Sequence, residues 1–244
     1  MSKQSYFVWK GIDCRSKGIY LSGPVSTVRP EERVNHITIP GRSGDLTELE
    51  GDQIYNSYIQ PATILVKGGY RNREVFQWLR GSGYVTFSGD PEKKQKARII
   101  GAVTLNKHSR NLDWWEGEVQ FYCEPLKQKI IDDSVVTITT NPTSLGNGGD
   151  VVEKPFWEVT AGGTGFDGTI VVSCGGKSLS IANMQSGWIC FIDSETEEVL
   201  NTAQTGTMTE NSSGEFPVLQ VGNGNSLSGS GWTQIRMWPR ERFL

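Results

Sequence analysis

A mainly β protein of two domains is predicted by three features of the sequence. Glycine, with 29 copies among 244 residues, exceeds its usual share of about 7% and indicates many tight turns. Short segments of alternating apolar and polar residues recur along the chain, whereas a single segment, in the first half, has a helical period. We therefore predict a β-rich domain with one helix over residues 1–130 and a β-sandwich over 131–238, with the boundary between 126 and 140.

The first half is predicted to hold several strands. The segments SYFVWKG and KGIYLSG flank Asp13 and predict a short hairpin. In SYIQPATILVKGG, Pro61 favours an edge strand or a bulge, because proline has no N–H for the ladder. The segment WWEGEVQFYCEP alternates, which predicts a strand buried on one face. The predicted inward face of that strand consists of Trp115, Val119, Phe121 and Cys123.

The single helix is predicted in NREVFQWLRGSG, residues 72–83. Asn72 is expected to cap its amino end, and Gly81 is expected to adopt the left-handed conformation after its last turn. An apolar stripe at helical spacing is expected to pack against a sheet. The stripe consists of Val75, Phe76, Trp78 and Leu79.

Beyond Pro125 no helical pattern recurs, and seven short strands are predicted between turn signals. They are FWEVTAG, GTIVVSC, KSLSIAN, GWICFID, EEVLN, FPVLQVG and WTQIRMW. Such regular spacing is typical of a β-sandwich. The acidic run DSETEE, residues 193–198, lies between the fourth and fifth of these segments and predicts a hairpin turn. Ca²⁺ binding is the alternative, although the spacing of an EF-hand is absent.

Composition argues against several classes of function. Hydrophobic residues make up 36% of the chain and charged residues 21%, as in globular proteins. The net charge of −3 lacks the basic surplus of a nucleic-acid or anionic-membrane binder. No apolar run approaches the roughly 18 residues of a membrane span. The segment MSKQSYFVWKG has no apolar core before a cleavage site, so that no secretory signal is expected.

No catalytic, cofactor or metal site is predicted. The four cysteines are widely spaced, without a C-x-x-C pair, and are expected to be buried free thiols in strands of a protein made in a reducing cytoplasm. They are Cys14, Cys123, Cys174 and Cys190. The two histidines, His36 and His108, have no G-x-S-x-G nucleophile motif beside them and are expected to be structural or solvated.

The glycine-rich segment ITIPGRSGDLTELEGDQIY, residues 37–55, raises the question of a phosphate-binding loop. Gly41 and Gly44 are closer together than in G-x-x-x-x-G-K-[ST], and no Gly-Lys-Ser/Thr follows them. The residues after Gly44 also lack the helical period that a dinucleotide-binding loop requires. The segment is therefore predicted to be a structural loop or an interaction element.

The tryptophans of the second half are open to two interpretations. An aromatic platform on a sandwich can stack on a sugar, but tryptophan is also a usual core residue of sandwiches. The alternation in GWICFID and WTQIRMW favours the core. The sugar-platform candidates are Trp157, Trp188 and Trp232, and Trp238 is the fourth tryptophan of this half.

Two groups of segments, in a constant order, resemble a known family. FVWKGIDCRSKGIYL, RPEERVNHITIPGRSGDL, REVFQWLRGSGYVTFSGDP and WWEGEVQFYCEP resemble the amino-terminal belt domain of siphophage distal tail proteins, a family of phage tail-tip and baseplate hub components also found in prophages. NPTSLGNGGDVVEKPFWEV, GKSLSIANMQSGWICFIDSETEEV, GEFPVLQVGNGNSLSGSG and MWPRERFL resemble the galectin-like carboxyl-terminal domain of that family. The segments IPGRSGDL and FIDSE are the strongest parts of the resemblance, which covers nearly the whole chain.

The resemblance implies a virion structural protein without enzymatic activity, at the distal tip of the tail, synthesised in the cytoplasm of the bacterial host. Members form a hexameric ring, in isolation sometimes as paired rings, between the tail tube protein and the tip, fibre or lysin components. Their belt domains make the ring and their sandwich domains project outward. The present sandwich is short for the inserted arm that carries receptor-binding proteins in some members, which leaves that partner open.

The glycine-rich loop is the candidate for contact between subunits. In a cyclic ring each subunit makes a head-to-tail contact with the next. The Arg42 guanidinium can form paired hydrogen bonds to a carboxylate or to carbonyls of a neighbour, so that we place the loop at the subunit interface or in the ring lumen. The alternative is a simple turn with a solvated Arg42. The candidate residues are Pro40, Gly41, Arg42, Ser43, Gly44 and Asp45.

Two further questions are left open by the sequence. A function from another class, a carbohydrate-binding module that contacts host cell-wall sugar during adsorption, is the alternative to the tail-tip role. The carboxyl-terminal segment 239–244 either joins the first domain or frays in solvent.

Overall fold

A computed structural model of the chain describes residues 5–49, 53–108, 113–130, 135–203 and 206–244. Residues 1–4 of the amino-terminal segment, 50–52 of the glycine-rich segment and 131–134 of the predicted boundary lie outside the described residues. The chain divides into two compact units, Met1–Ile130 with Leu244 and Ile131–Phe243. Both consist mainly of β-strands, and the described residues contain one α-helix, α1 (Asn72–Trp78). The prediction of a mainly β protein with one helix is therefore confirmed.

The described part of the first unit is built from one large antiparallel sheet and one separate hairpin. Its strands are β1 (Phe7–Trp9), β2 (Ile12–Asp13), β3 (Ile19–Leu21), β4 (Val34–Ile37), β5 (Leu46–Leu49), β6 (Tyr58–Lys67), β7 (Ser82–Phe87), β8 (Lys93–Ile100), β9 (Leu105–Lys107) and β10 (Trp114–Lys129). The order of the sheet is β2-β1-β7-β8-β10-β6-β3, and β9 pairs with the start of β10. Strands β4 and β5 form a two-stranded sheet of their own.

Strand β10 supplies much of the core of the first unit. Val119, Phe121 and Cys123 are fully buried, and Trp115 packs against the same cluster, which confirms the predicted inward face. The Phe121 ring makes edge contacts with three other aromatic rings. These rings belong to Phe7, Trp9 and Phe87, with centroids 5.4, 5.6 and 5.6 Å away.

Pro61 lies where β6 is locally an edge strand. Strand β10 pairs with β6 along its whole length, with Gln120 opposite Pro61. On the other side of β6, the pairing with β3 covers only residues 64–66. The missing N–H of proline therefore removes no bond from β3, and the edge prediction is confirmed.

The predicted hairpin around Asp13 is only partly correct. Strand β1 pairs with the two-residue β2, but β3 pairs with β6 instead of returning along β1. Between β2 and β3 the chain forms a 3₁₀ turn, Cys14–Lys17, and the Asp13 carboxylate accepts the N–H of Arg15 at 2.8 Å. This capped turn directs β3 to the opposite end of the sheet.

Helix α1 differs from its prediction at its start and in its buried face. A 3₁₀ turn, Gly69–Arg71, leads directly into it, so that Asn72 lies within the helix and its side chain does not cap it. Val75 and Leu79, four residues apart, are buried as predicted. Phe76 is exposed, so that the buried stripe of the helix is narrower than the sequence pattern predicts.

The second unit consists of two five-stranded antiparallel sheets. The strands of these sheets are β11 (Val136–Ile138), β12 (Thr143–Asn147), β13 (Phe156–Ala161), β14 (Ile170–Cys174), β15 (Lys177–Ile181), β16 (Ile189–Asp193), β17 (Glu198–Leu200), β18 (Ser212–Gly214), β19 (Gly222–Ser230) and β20 (Trp232–Trp238). A further two-residue strand, β21 (Arg242–Phe243), belongs to neither sheet. One sheet has the order β11-β20-β13-β16-β17 and the other β12-β19-β14-β15-β18. Trp157 and Ile192 of the first sheet share one core with Val172 and Leu227 of the second, as in a sandwich.

One predicted strand of this unit is wrong, and the seven predicted segments missed β12, β18 and β19. The segment FPVLQVG forms no strand, and its Leu219 makes only an isolated bridge with Glu153. The longest of the missed strands, β19, is rich in glycine, serine and asparagine, a composition typical of turns. It forms because β12 and β14 pair with it on both sides, and such pairing overrides weak intrinsic preference.

Candidate functional site

The candidate site is the hairpin formed by β4 and β5, which we call the 34–49 hairpin. Its register places Val34 opposite Leu49 and Ile37 opposite Leu46. Backbone hydrogen bonds continue the pairing below the strands, from the Arg33 N–H to the Ile54 carbonyl at 2.8 Å. The two arms therefore meet again below the strands, with a different register, where Glu32 bridges Tyr55.

The loop at the tip of this hairpin has a defined conformation. The Thr38 hydroxyl donates to the Asp45 carboxylate at 2.9 Å and closes the mouth of the loop. The N–H of Arg42 donates to the Ile39 carbonyl at 3.2 Å. Gly41 has a φ of 84° and Gly44 a φ of 80°, backbone conformations that other residues adopt at a cost. The sequence thus uses glycine here for shape, since no atom crowds either Cα.

All six candidate residues, 40–45, are exposed at this tip. The Arg42 guanidinium makes no hydrogen bond or ion pair with any residue that the structure describes. It is a free donor of up to five N–H groups on a loop whose backbone is fixed. Such a group is suited to bind a carboxylate or carbonyls of another molecule.

The arms of the hairpin expose apolar side chains. Ile37, Ile39 and Leu46 are 38%, 38% and 36% exposed, and Ile37 and Leu46 form a cross-strand pair. None of the three belongs to a core cluster of the described residues. A two-stranded hairpin alone is marginally stable in water, and it normally needs a third strand or a packing partner. Among the strands that the structure describes, β4 and β5 have no third strand beside them.

The acidic run DSETEE forms the predicted hairpin turn, between β16 and β17. The Asp193 carboxylate accepts the backbone N–H of Glu195 at 2.9 Å and two bonds from Arg240, at 2.7 and 3.0 Å. Glu195 pairs with Arg240 and with Arg242, each at 3.3 Å. The acidic turn thus holds the basic PRER segment near the carboxyl terminus.

The pKa of Asp193 reflects these contacts. Burial raises the pKa, but the hydrogen bonds from Arg240 and the backbone, together with the Arg240 charge, outweigh it and bring the pKa below its ordinary value of 3.8. Across the described residues, no group of three or more His, Cys, Asp or Glu side chains is arranged to hold a metal ion.

The sugar-platform candidates lie in different environments. Trp157 is fully buried, and its indole N–H donates to the Ser194 hydroxyl at 3.1 Å. Trp232 is also buried. Neither ring has a face open to a sugar, because both pack in the sandwich core. Trp188, just before β16, is 43% exposed and is the candidate whose ring reaches solvent.

The cysteines are buried, whereas the histidines lie at the surface. All four cysteines are free and buried, and burial raises the pKa of the Cys174 thiol to about 11 and those of Cys123 and Cys190 to about 12. Cys14 is the one cysteine outside a strand, since it begins a 3₁₀ turn. His36 is exposed on β4, and His108 lies 3.1 Å from Glu116 at the surface. In the part of the chain that the structure describes, no helix is long and apolar enough to span a membrane.

The described residues thus form a sheet-and-helix unit with a separate two-stranded hairpin, followed along the chain by a sandwich unit. The chain is similar over 99% of its length to the Dit protein (gp 19.1) of phage SPP1, with a TM-score of 0.77 and 16% sequence identity, and the match covers 100% of that protein. The SPP1 structure is described as a paradigm of the hub adsorption apparatus in phages that infect Gram-positive bacteria. No family model and no curated protein sequence matches the chain. At this identity the likeness establishes the shared fold.

Proposed function

We propose that this chain is a structural protein of a phage tail tip, which assembles with itself into a hexameric ring through the 34–49 hairpin. The full-length likeness to a hub protein supports the tail-tip role. The proposed ring joins the tail tube protein to the tip, fibre or lysin components, in the virion, and no catalytic step is assigned to it. The proposed partners at the tail tip also include receptor-binding proteins.

The observation that carries the assembly proposal is the isolated hairpin itself. Its paired Ile37 and Leu46 side chains are exposed, and the Arg42 guanidinium at its tip has no partner among the described residues. A heterologous contact with the next subunit would bury the apolar pair and give the guanidinium acceptors. A second copy of the chain would provide both the apolar contact for Ile37 and Leu46 and the hydrogen-bond acceptors for Arg42.

The test measures the oligomeric state of full-length protein by light scattering after size exclusion, with negative-stain imaging of the peak. We expect the wild-type 27.0 kDa chain to form a ring of six or a pair of such rings. Arg42→Glu should weaken assembly at least tenfold, because the reversed charge repels a carboxylate and has no donor for a carbonyl. Arg73→Glu, on the exposed side of α1, is the matched control and should assemble normally.

Two results would contradict the proposal. A wild-type chain that stays monomeric at every concentration would rule out self-assembly as its own property. An Arg42→Glu variant that forms the same ring as the wild type would exclude the loop from the subunit seam, and Arg42 would then be a solvated turn residue.

A further inference from the structure

Trp188 is the unusual aromatic side chain of the second unit. Trp157 and Trp232 are buried in the sandwich core, whereas the indole of Trp188 is 43% exposed. An indole is large and mostly apolar, so that its exposure has a hydration cost that a core position avoids. Nothing in the assembly role proposed above uses this side chain, which lies in a different unit from the 34–49 hairpin.

A cleft opens beside this ring. Its volume is about 440 Å³, within the roughly 300–1,000 Å³ of small-molecule sites. The residues that line it are Trp188, Ile189, Asn201, Thr202, Ala203 and Met208. The cleft thus combines one aromatic ring and aliphatic groups with an amide and a hydroxyl side chain.

Backbone hydrogen bonds fix both walls of the cleft. On one wall, the Trp188 N–H donates to the Gln185 carbonyl at 3.0 Å, and the Trp188 carbonyl accepts the Ala161 N–H at 2.8 Å. On the other wall, the Met208 N–H donates to the Val199 carbonyl at 2.6 Å. The Thr202 hydroxyl donates to the Ile189 carbonyl at 2.7 Å and joins the walls. These bonds hold Trp188, Thr202 and Met208 in place, which lowers the ordering cost of a ligand that contacts them.

The lining residues also determine the kind of ligand that fits. None of them is ionisable, so that the cleft offers no counter-charge to an anion or a cation. The Asn201 amide offers donors and acceptors, and the Thr202 oxygen keeps lone pairs after its own donation. Sugars present hydroxyl groups along one edge and C–H groups on a ring face, which suits polar groups beside an exposed aromatic face.

We propose that the Trp188 cleft is a binding site for a neutral saccharide, with the indole stacked on the sugar ring and Asn201 and Thr202 bonded to its hydroxyls. On a tail-tip protein, such a site would touch the glycan surface of the host. The site itself does not depend on ring formation, because all its lining residues belong to one unit of one chain.

The experiment uses full-length protein and a panel of neutral sugars: glucose, galactose, N-acetylglucosamine, rhamnose and their disaccharides. Saturation-transfer NMR detects which sugars bind, and titration of the tryptophan fluorescence gives their affinities. We expect at least one sugar to bind, and Trp188→Ala to weaken it at least tenfold. Trp188→Phe keeps a smaller aromatic face and should retain part of the affinity. Tyr122→Ala, at a residue of the first unit that is 45% exposed, is the control and should bind as the wild type does.

Three outcomes would overturn the proposal. The panel could give no binding at all, binding could survive Trp188→Ala unchanged, or the cleft could bind an apolar dye and no sugar. The oligomeric state of Trp188→Ala is measured in the same samples. A variant that loses the sugar and keeps its assembly state separates this site from the ring proposed above.

Discussion

The two hairpins of this protein, β4–β5 and β16–β17, have opposite surroundings. The 34–49 hairpin makes a sheet of its own, exposes the Ile37–Leu46 pair and ends in an arginine without a partner among the described residues. The β16–β17 hairpin is part of a five-stranded sheet. Its Ile192 and Val199 are fully buried, and its turn binds two arginines.

The difference teaches that one hairpin can be integrated in the core of its unit while another keeps its apolar side chains exposed. In the β16–β17 turn the Asp193 and Glu195 carboxylates are bonded within their own unit, and burial of the apolar residues of this hairpin stabilises the sandwich. The 34–49 hairpin has the reverse balance, since its Ile37–Leu46 pair and the Arg42 side chain at its tip are exposed. Substitutions in the two hairpins should therefore affect different measurements.

The largest expected effect on stability is at Trp157, beneath the β16–β17 turn. Trp157→Ala removes a fully buried ring that also donates to Ser194, and should lower the free energy of unfolding by about 3–5 kcal/mol. Urea denaturation measures this loss. Trp188→Ala, at the exposed ring of the same unit, is the control and should change the unfolding free energy by less than about 1 kcal/mol. Equal losses for both variants would show that burial does not separate the two rings.

A smaller effect is expected at the clamp on the acidic turn. Arg240→Ala removes two hydrogen bonds to the partly buried Asp193 and should cost about 1–3 kcal/mol in urea denaturation near neutral pH. Limited proteolysis should also cut the carboxyl-terminal segment faster. Arg240→Lys keeps the charge but loses the planar fork, and should recover only part of the stability. Full stability of Arg240→Ala would mean that the arginine is dispensable.

The same variant has a defined pH dependence. The folded-state pKa of Asp193 is lowered, so that its contribution is present above the unfolded-state value near 3.8 and is lost as pH falls through the folded-state pKa. The difference in unfolding free energy between the wild type and Arg240→Ala should therefore shrink below pH 3.8. A difference that stays constant on acidification would attribute the effect to packing of the arginine and not to its ion pair.

The smallest effect on the fold is expected in the 34–49 hairpin. Ile37→Ser combined with Leu46→Ser removes an apolar pair that no core cluster includes, and should change the unfolding free energy of the monomer by about 0.5 kcal/mol or less. The same double variant should lose the ring, as measured by light scattering. Strong destabilisation of the monomer would show that the pair packs within its own chain, and the contrast between the two hairpins would fail.

Much of the fold was predictable where a local pattern coincides with burial. Strict alternation in β10 predicted its inward face, and the turn chemistry of residues 193–198 predicted the β16–β17 hairpin. Gly81, with a φ of 74°, has the left-handed conformation predicted for it. Two of the failures, β19 and the partner of β3, depend on strands far away in the chain, and no local pattern identifies such a partner.

The sequence by itself determined the mainly β class, the single helix and the buried thiols. It also identified the segment around Arg42 as an unusually glycine-rich loop. These features were predictable because periodicity, turn residues and side-chain polarity are local properties. Only the tertiary structure decided which prominent features are left exposed. It buried Trp157 and exposed Trp188, bound the acidic turn to Arg240, and left the 34–49 hairpin in a sheet of its own. Burial and pairing depend on which distant segments meet, and that information lies in the packing of the whole chain.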